Sequence, residues 1–216
     1  MPFPSNLAFV SLLQYAPRGT TPVSQASRTV TYKVKTDGFM GATRVIAYAA
    51  RRIAEHLHVS PFLQDCFGPG VTLVPIPRSS PRRTGFLWPA ERICACLLAE
   101  GLGHELLQCL ERTRPVQRAS LAATGQRPNP PDHYDSTRIH APHPLAHPER
   151  ITLVDDVLTR GSSFVGMVPR IHEAYPDATV RCFALIRTIS TGEVHAIFAP
   201  TAGIITYRNG LLLRQP

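Results

Sequence analysis

The 216-residue sequence contains no C-x-x-C pair, no internal repeat, and no apolar run near the roughly 20 residues that span a bilayer. The cysteines, Cys66, Cys94, Cys96, Cys109 and Cys182, are odd in number, which excludes a simple disulfide framework, and their spacing excludes a zinc ribbon. They read as small buried hydrophobes, and unpaired thiols fit a reducing cytoplasm, the expected location. Cys94 and Cys96, two apart in a helical segment, would face different directions. The apolar stretch LAFVSLLQY is short and no basic segment precedes it, so neither a signal peptide nor a membrane partner is expected. Charged residues are only 18% of the chain, but 44% are apolar, which excludes disorder of the whole chain. This length fits one domain over 1–216.

Acidic residues are outnumbered. Lysine and arginine total 23 against 15 aspartates and glutamates, a formal charge of +8. Such an excess points to an anionic partner, either nucleic acid or a phosphorylated small molecule.

Along the chain, residues 17–28 read as loop, and RTVTYKVK as a strand or irregular arm, so 1–40 is expected to form an N-terminal arm or hood. From Gly41 to His58, apolar residues recur at helical spacing: Val45, Ile46, Ala49, Ile53 and Leu57. CFGPG breaks the chain, and VTLVPIP reads as a buried strand stopped by prolines. Trp88 to Glu100 is a second helical segment closed by GLG. Residues 112–150 are rich in proline, arginine and histidine and lack periodicity. They read as a long flexible loop or lid with a short strand near His140, or as a disordered insertion. ITLVDD is a buried strand, Ser162 to Tyr175 a helix, and TVRCFALIRT another buried strand. Asn209-Gly210 between apolar runs marks a C-terminal hairpin over 204–216. Strands alternating with helices predict an α/β fold with a central, mostly parallel sheet.

The stretch ITLVDDVLTRGSS carries the chemistry. A strand entering a small-residue loop and then a helix points successive N–H groups and a helix dipole at one spot, which favours an anion. Gly161 permits close approach, Thr159, Ser162 and Ser163 add hydroxyls, and either serine can cap the helix. The carboxylates of Asp155 and Asp156 should point elsewhere, and as acceptors they suit sugar hydroxyls. Together the two halves describe a ribose 5-phosphate.

VDDVLTRGSS resembles the signature of type I phosphoribosyltransferases, an acidic pair followed by a T-x-G-x-[ST] loop. The resemblance implies phosphoribosyl pyrophosphate (PRPP) as donor, magnesium as cofactor and an acceptor that the motif does not identify. It implies that Asp155 and Asp156 hold the ribose 2′- and 3′-hydroxyls. Val157, Leu158, Thr159, Arg160, Gly161, Ser162 and Ser163 would form the 5-phosphate side. Arg160 stands where threonine is more usual in that family. Pro77, Arg78, Ser79, Arg82 and Arg83, after an earlier strand, could bind the leaving pyrophosphate through guanidinium forks. The resemblance assigns catalysis to Asp155, Asp156, Arg82 and Arg83, with no side-chain metal ligand assured and magnesium held through PRPP.

Val74-Pro75-Ile76-Pro77, the arginine-rich segment and Gly85-Phe86 also resemble the ComF-like subgroup. Its R-x-x-x-x-Q and arginine-asparagine pattern finds Arg112 or Arg114, Gln117, Arg127 and Asn129 in order, which places the last four in a lid. The subgroup's usual N-terminal zinc ribbon is absent. His133, His140, His143 and His147 read as loop or surface residues without metal-ligand spacing, and His172 as structural. Leu158 stands where purine-specific relatives carry an acid, so acceptor contacts are expected from the N-terminal arm, lid or C-terminal hairpin. The main expectation is a phosphoribosyltransferase, with a homodimer left open. Two alternatives stand beside it: a PRPP- or nucleotide-sensing regulator with a nucleic-acid-binding surface, and a ComF-like accessory protein of DNA processing.

Overall fold

A computed structural model describes residues 2–117, 127–140, 147–190 and 192–216. It opens with β1 (Asn6–Tyr15), α1 (Pro22–Lys35) and the short pair β2 (Phe39–Met40) and β3 (Thr43–Arg44). Next come α2 (Val45–Leu57), α3 (Pro61–Phe67), β4 (Val71–Pro75), α4 (Pro89–Ala99) and β5 (Glu105–Leu106). Then follow β6 (Leu110–Arg112), α5 (Pro130–Asp135), β7 (Thr137–Ile139) and β8 (Arg150–Leu158). The chain ends with α6 (Ser162–Ala174), β9 (Thr179–Thr188), β10 (Phe198–Arg208) and β11 (Leu211–Gln215).

Seven strands form the main sheet in the order β11-β10-β1-β9-β8-β4-β5. The neighbours from β1 to β5 are parallel, and β10 and β11 add antiparallel at one side. The α/β class and the mostly parallel sheet are as predicted. One apolar cluster joins α2, α3 and α4 to β4 and β9, including Ile53, Leu73, Leu97 and Phe183. A second joins α6 to β8 and includes Leu153, Phe164, Met167 and Ile205. Both faces of the parallel strands are therefore covered, which is why they read as continuous apolar runs.

Two expectations at the N-terminus are corrected. LAFVSLLQY is no arm, because β1 lies inside the main sheet between β10 and β9. RTVTYKVK is helical, as the end of α1. The helix starts where Thr21 Oγ1 accepts from the Ser24 amide and Pro22 sits in the first turn. Its buried face is Ser24, Ser27, Thr31 and Val34, spaced by three or four residues. That face is mostly hydroxylic, so hydrophobic periodicity does not reveal it. Its hydroxyls are satisfied: Ser27 Oγ donates to Ser24 O and Thr31 Oγ1 to Ser27 O.

All five cysteines are free and buried, including both Cys94 and Cys96. Burial pushes the Cys66 and Cys109 thiols up to about 12, which keeps them protonated and unreactive. No helix among the described residues is long and apolar enough to cross a membrane.

Candidate functional site

Strand β8 carries its apolar run through Val154 and then presents Asp155 and Asp156 at its C-terminal end, beside the loop that leads into α6. Gly161 makes the turn. Its φ is +95°, and a Cβ there would lie 2.5 Å from Ile205 Cδ1, so both backbone and space require glycine. Neither serine caps α6, contrary to expectation; the N-cap is Gly161 and no side chain bonds to the helix start. The first-turn N–H groups have no intrahelical acceptor and no side-chain cap, which leaves them available to an anion.

The serines do other work. Ser163 Oγ donates to Asp155 Oδ2 at 3.2 Å, and Ser162 Oγ lies 3.3 Å from His133 Nε2. The Asp156 amide donates to Asp155 Oδ1 at 2.8 Å and the Val157 amide to Asp156 Oδ1 at 2.9 Å. Burial, and then the Asp156 charge, push the Asp155 carboxyl well above the usual range. Two adjacent carboxylates in a shielded place repel, and a ligand that donates hydrogen bonds would relieve them.

These residues form one wall of a cleft of about 440 Å³. Pro77, Arg78 and Ser79 face it from the β4 side, and Gln117 and Arg127 from the predicted lid. Five cationic residues, Lys35, Arg78, Arg112, Arg127 and Arg160, line it against the two aspartates. Val157, Thr159, Ser162 and Ser163 also reach it, whereas Leu158 is buried beneath. Thr159 Oγ1 sits 3.3 Å from Thr188 Oγ1, and Arg214 donates to Leu158 O and Thr188 O at 3.0 and 2.6 Å. The C-terminal hairpin thus braces the loop from below.

Not every predicted residue arrives there. Arg82 and Arg83 line a neighbouring cavity, where Arg82 pairs with Glu91 at 3.3 Å and bonds Gln108. Arg114 is exposed and lines neither cavity, and Asn129 is the N-cap of α5. His140 faces the neighbouring cavity, 3.7 Å from Glu111; His147 is exposed. His143 lies outside the described residues. His172 contacts Ala178 O at 3.2 Å, a structural position.

Among the cleft residues that the sequence does not mark as site residues are Lys35, Trp88 and His133. His133 belongs to α5, inside the segment expected to be loop. The signal for α5 was present, because Asn129 and Asp132 form a reciprocal capping box with Pro130 in the first turn. Arg112, 3% exposed, anchors this segment by donating to Arg78 O and His133 O and to Ser136 Oγ. Burial draws the Arg112 guanidinium down to about 10, partly countered by Asp155.

Helix α5 approaches α6 closely because Gly166 has no side chain. A Cβ there would lie 2.5 Å from Pro130 O and 2.7 Å from His133 Cβ. Gly166→Val is expected to push α5 away and lower the melting temperature by roughly 5 °C in thermal unfolding.

His133 also sets an acid limit. Burial and then the Arg112 charge pull its imidazole down to about 4. Because the folded state disfavours the proton, this contribution to stability is complete above the unfolded value near 6.5 and is lost as pH falls towards 4. Melting temperature should therefore drop between pH 6.5 and 4.5, and His133→Gln should flatten that slope.

No family model matches the chain, and no curated protein matches it. Among solved structures it is similar to a hypoxanthine phosphoribosyltransferase from Staphylococcus aureus in two crystal forms. Identity is 11% in both, with 69% and 70% of this chain covered, 72% and 71% of that chain, and TM-scores of 0.37 and 0.34. It is also similar to the Trypanosoma cruzi hypoxanthine phosphoribosyl transferase, at 11% identity, 75% and 76% coverage and a TM-score of 0.32.

Proposed function

We propose that the cleft binds PRPP and that the protein transfers the phosphoribosyl group to an acceptor, releasing pyrophosphate. The observation that carries this reading is the placement of Asp155 and Asp156 beside an uncapped, glycine-turned helix start on one wall of a cationic cleft.

In this reading the amides and hydroxyls from Thr159 to Ser163 hold the 5-phosphate, and the aspartates accept from the ribose 2′- and 3′-hydroxyls. Arg78, Ser79 and Arg127 receive the pyrophosphate. Arg82 and Arg83 drop out of this role because they face the neighbouring cavity. As the C1–O bond lengthens, charge moves onto the leaving group, and fixed guanidinium donors stabilise it without reorganisation. Gln117 and Arg127 on the lid side would help to exclude water from the reacting sugar.

The donor set suits magnesium, which takes one or two carboxylates together with substrate oxygens. Asp155 and Asp156 would hold it with the ligand's own oxygens, and when bound it would neutralise pyrophosphate charge.

Incubation with PRPP, magnesium and a panel of nucleobase and amine acceptors tests the reading. Acceptor-dependent pyrophosphate release is expected. Tight PRPP binding without release from any acceptor would instead make the protein a sensor.

A further inference from the structure

On the far side of the Pro77–Trp88 segment lies a second cavity, of about 550 Å³. It shares Pro77, Arg78, Trp88 and Arg112 with the first cleft, but Arg83, Phe86, Gln108 and Glu111 belong to it alone. The size falls within the usual range of small-molecule sites, about 300–1,000 Å³.

Two features of its wall select the ligand. The first is aromatic. Phe86 is 63% exposed, an unusual cost for a large apolar ring, and the Trp88 indole lies nearby with its Nε1 donating to Ile76 O. That bond fixes the indole, which is only 7% exposed and so stiffens the wall rather than offering an open face, leaving Phe86 as the exposed ring. The second is cationic. Arg82 sits 5.4 Å from the Trp88 ring centroid, and Arg78 and Arg83 complete a run of three guanidiniums within six residues. Glu91 answers one of them, Arg82. Glu111 is taken up by Arg138 at 2.8 Å, leaving the cavity with an excess of positive charge. Gln108 adds an amide that can read a polar ring edge.

We infer that this second cavity is a binding site for a nucleoside monophosphate, with its base on the exposed ring of Phe86 and its phosphate on Arg82 and Arg83. Planar aromatic surface beside forked cations fits a base carrying a phosphate better than it fits a bare anion or a neutral ring. The inference does not depend on the transferase reading, because Arg83 and Phe86 lie outside the first cleft.

Trp88 is the chain's only tryptophan and lines both cavities, so its fluorescence reports on this site once the first cleft is filled, and the Phe86 and Arg83 variants assign the signal. AMP is titrated into the full-length protein with ribose 5-phosphate at saturating concentration, so that a 5-phosphate site in the first cleft is already filled. A saturable change in emission is expected. Phe86→Ala should weaken it about tenfold and Arg83→Glu by more, since base stacking and the phosphate contact are each lost. Both side chains are exposed, and circular dichroism should show that the variants keep their fold. Equal AMP affinity in wild type and both variants would overturn the site. Inorganic phosphate competing as tightly as AMP would reduce it to a plain anion site and overturn the nucleotide assignment. So would an oligonucleotide that binds more tightly than AMP with a steep salt dependence. Failure of PRPP binding alone would leave this result untouched.

Discussion

Replacing Asp155 and Asp156 together by asparagine is expected to weaken PRPP binding about 100-fold in calorimetric titration with magnesium present. A hydrogen bond to a charged group contributes about 1.5–3 kcal/mol, and 1.4 kcal/mol is tenfold in affinity. Two such contacts would exceed 100-fold, but Asp155 is already pushed towards its neutral form by burial and by Asp156. The lower end is therefore expected. The same variant should not be less stable. A carboxyl whose folded pKa lies above its unfolded value costs stability as pH rises through that range, so removing the pair should raise the melting temperature at pH 8. Lost affinity with retained or raised stability separates a ligand contact from a structural role. Unchanged affinity would show that the aspartates do not touch the sugar.

Gly161→Val should have the largest effect on the fold around the site. A β-branched residue at φ +95° is strained whatever its surroundings, and its Cβ would meet the fully buried Ile205. Ile205 belongs to the second apolar cluster and pairs with Arg214 across β10 and β11. Relieving the clash means moving either the hairpin or the loop. Arg214 holds Leu158 O and Thr188 O, so hairpin movement would also loosen the start of the loop. A loss of about 2–4 kcal/mol in denaturant unfolding is expected, together with loss of ribose 5-phosphate binding. An exposed glycine with open space around it, such as Gly210's neighbour-free turn, gives the useful contrast: its φ is also positive, yet no atom would meet its Cβ.

The sheet was legible because its strands are apolar on both faces. VTLVP, ITLV and CFALI each form continuous runs, and burial between helix layers is what such runs require. Helix α2 was legible because its buried face is apolar at helical spacing. Helix α1 was not, because its buried face is Ser24, Ser27 and Thr31, whose hydroxyls are satisfied locally by the backbone. β1 escaped notice for a different reason: its partners β9 and β10 lie more than 150 residues away in sequence, and nothing local announces such pairing.

The site divides the same way. Asp155, Asp156 and the loop to Ser163 are contiguous, so a candidate site is legible in their order along the chain. Lys35, Trp88 and His133 reach the same cleft from three separate elements, which only the folded chain brings together. The arginine-rich segment shows the limit from the other side. Arg78 and Arg82 are four residues apart, yet only Arg78 lines both cavities, because Glu91 and Gln108 hold Arg82 on the far one. Composition gave the charge of that segment but not the direction in which each guanidinium points.

A crystal structure with ribose 5-phosphate bound would decide whether the aspartate-lined cleft holds a phosphorylated ribose. The phosphate is expected on the amides and hydroxyls of Thr159 to Ser163, the 2′- and 3′-hydroxyls within hydrogen-bond distance of Asp155 and Asp156, and C1 facing Arg78 and Arg127. A phosphate bound instead among Arg82, Arg83 and Phe86, with the aspartates untouched, would contradict that placement.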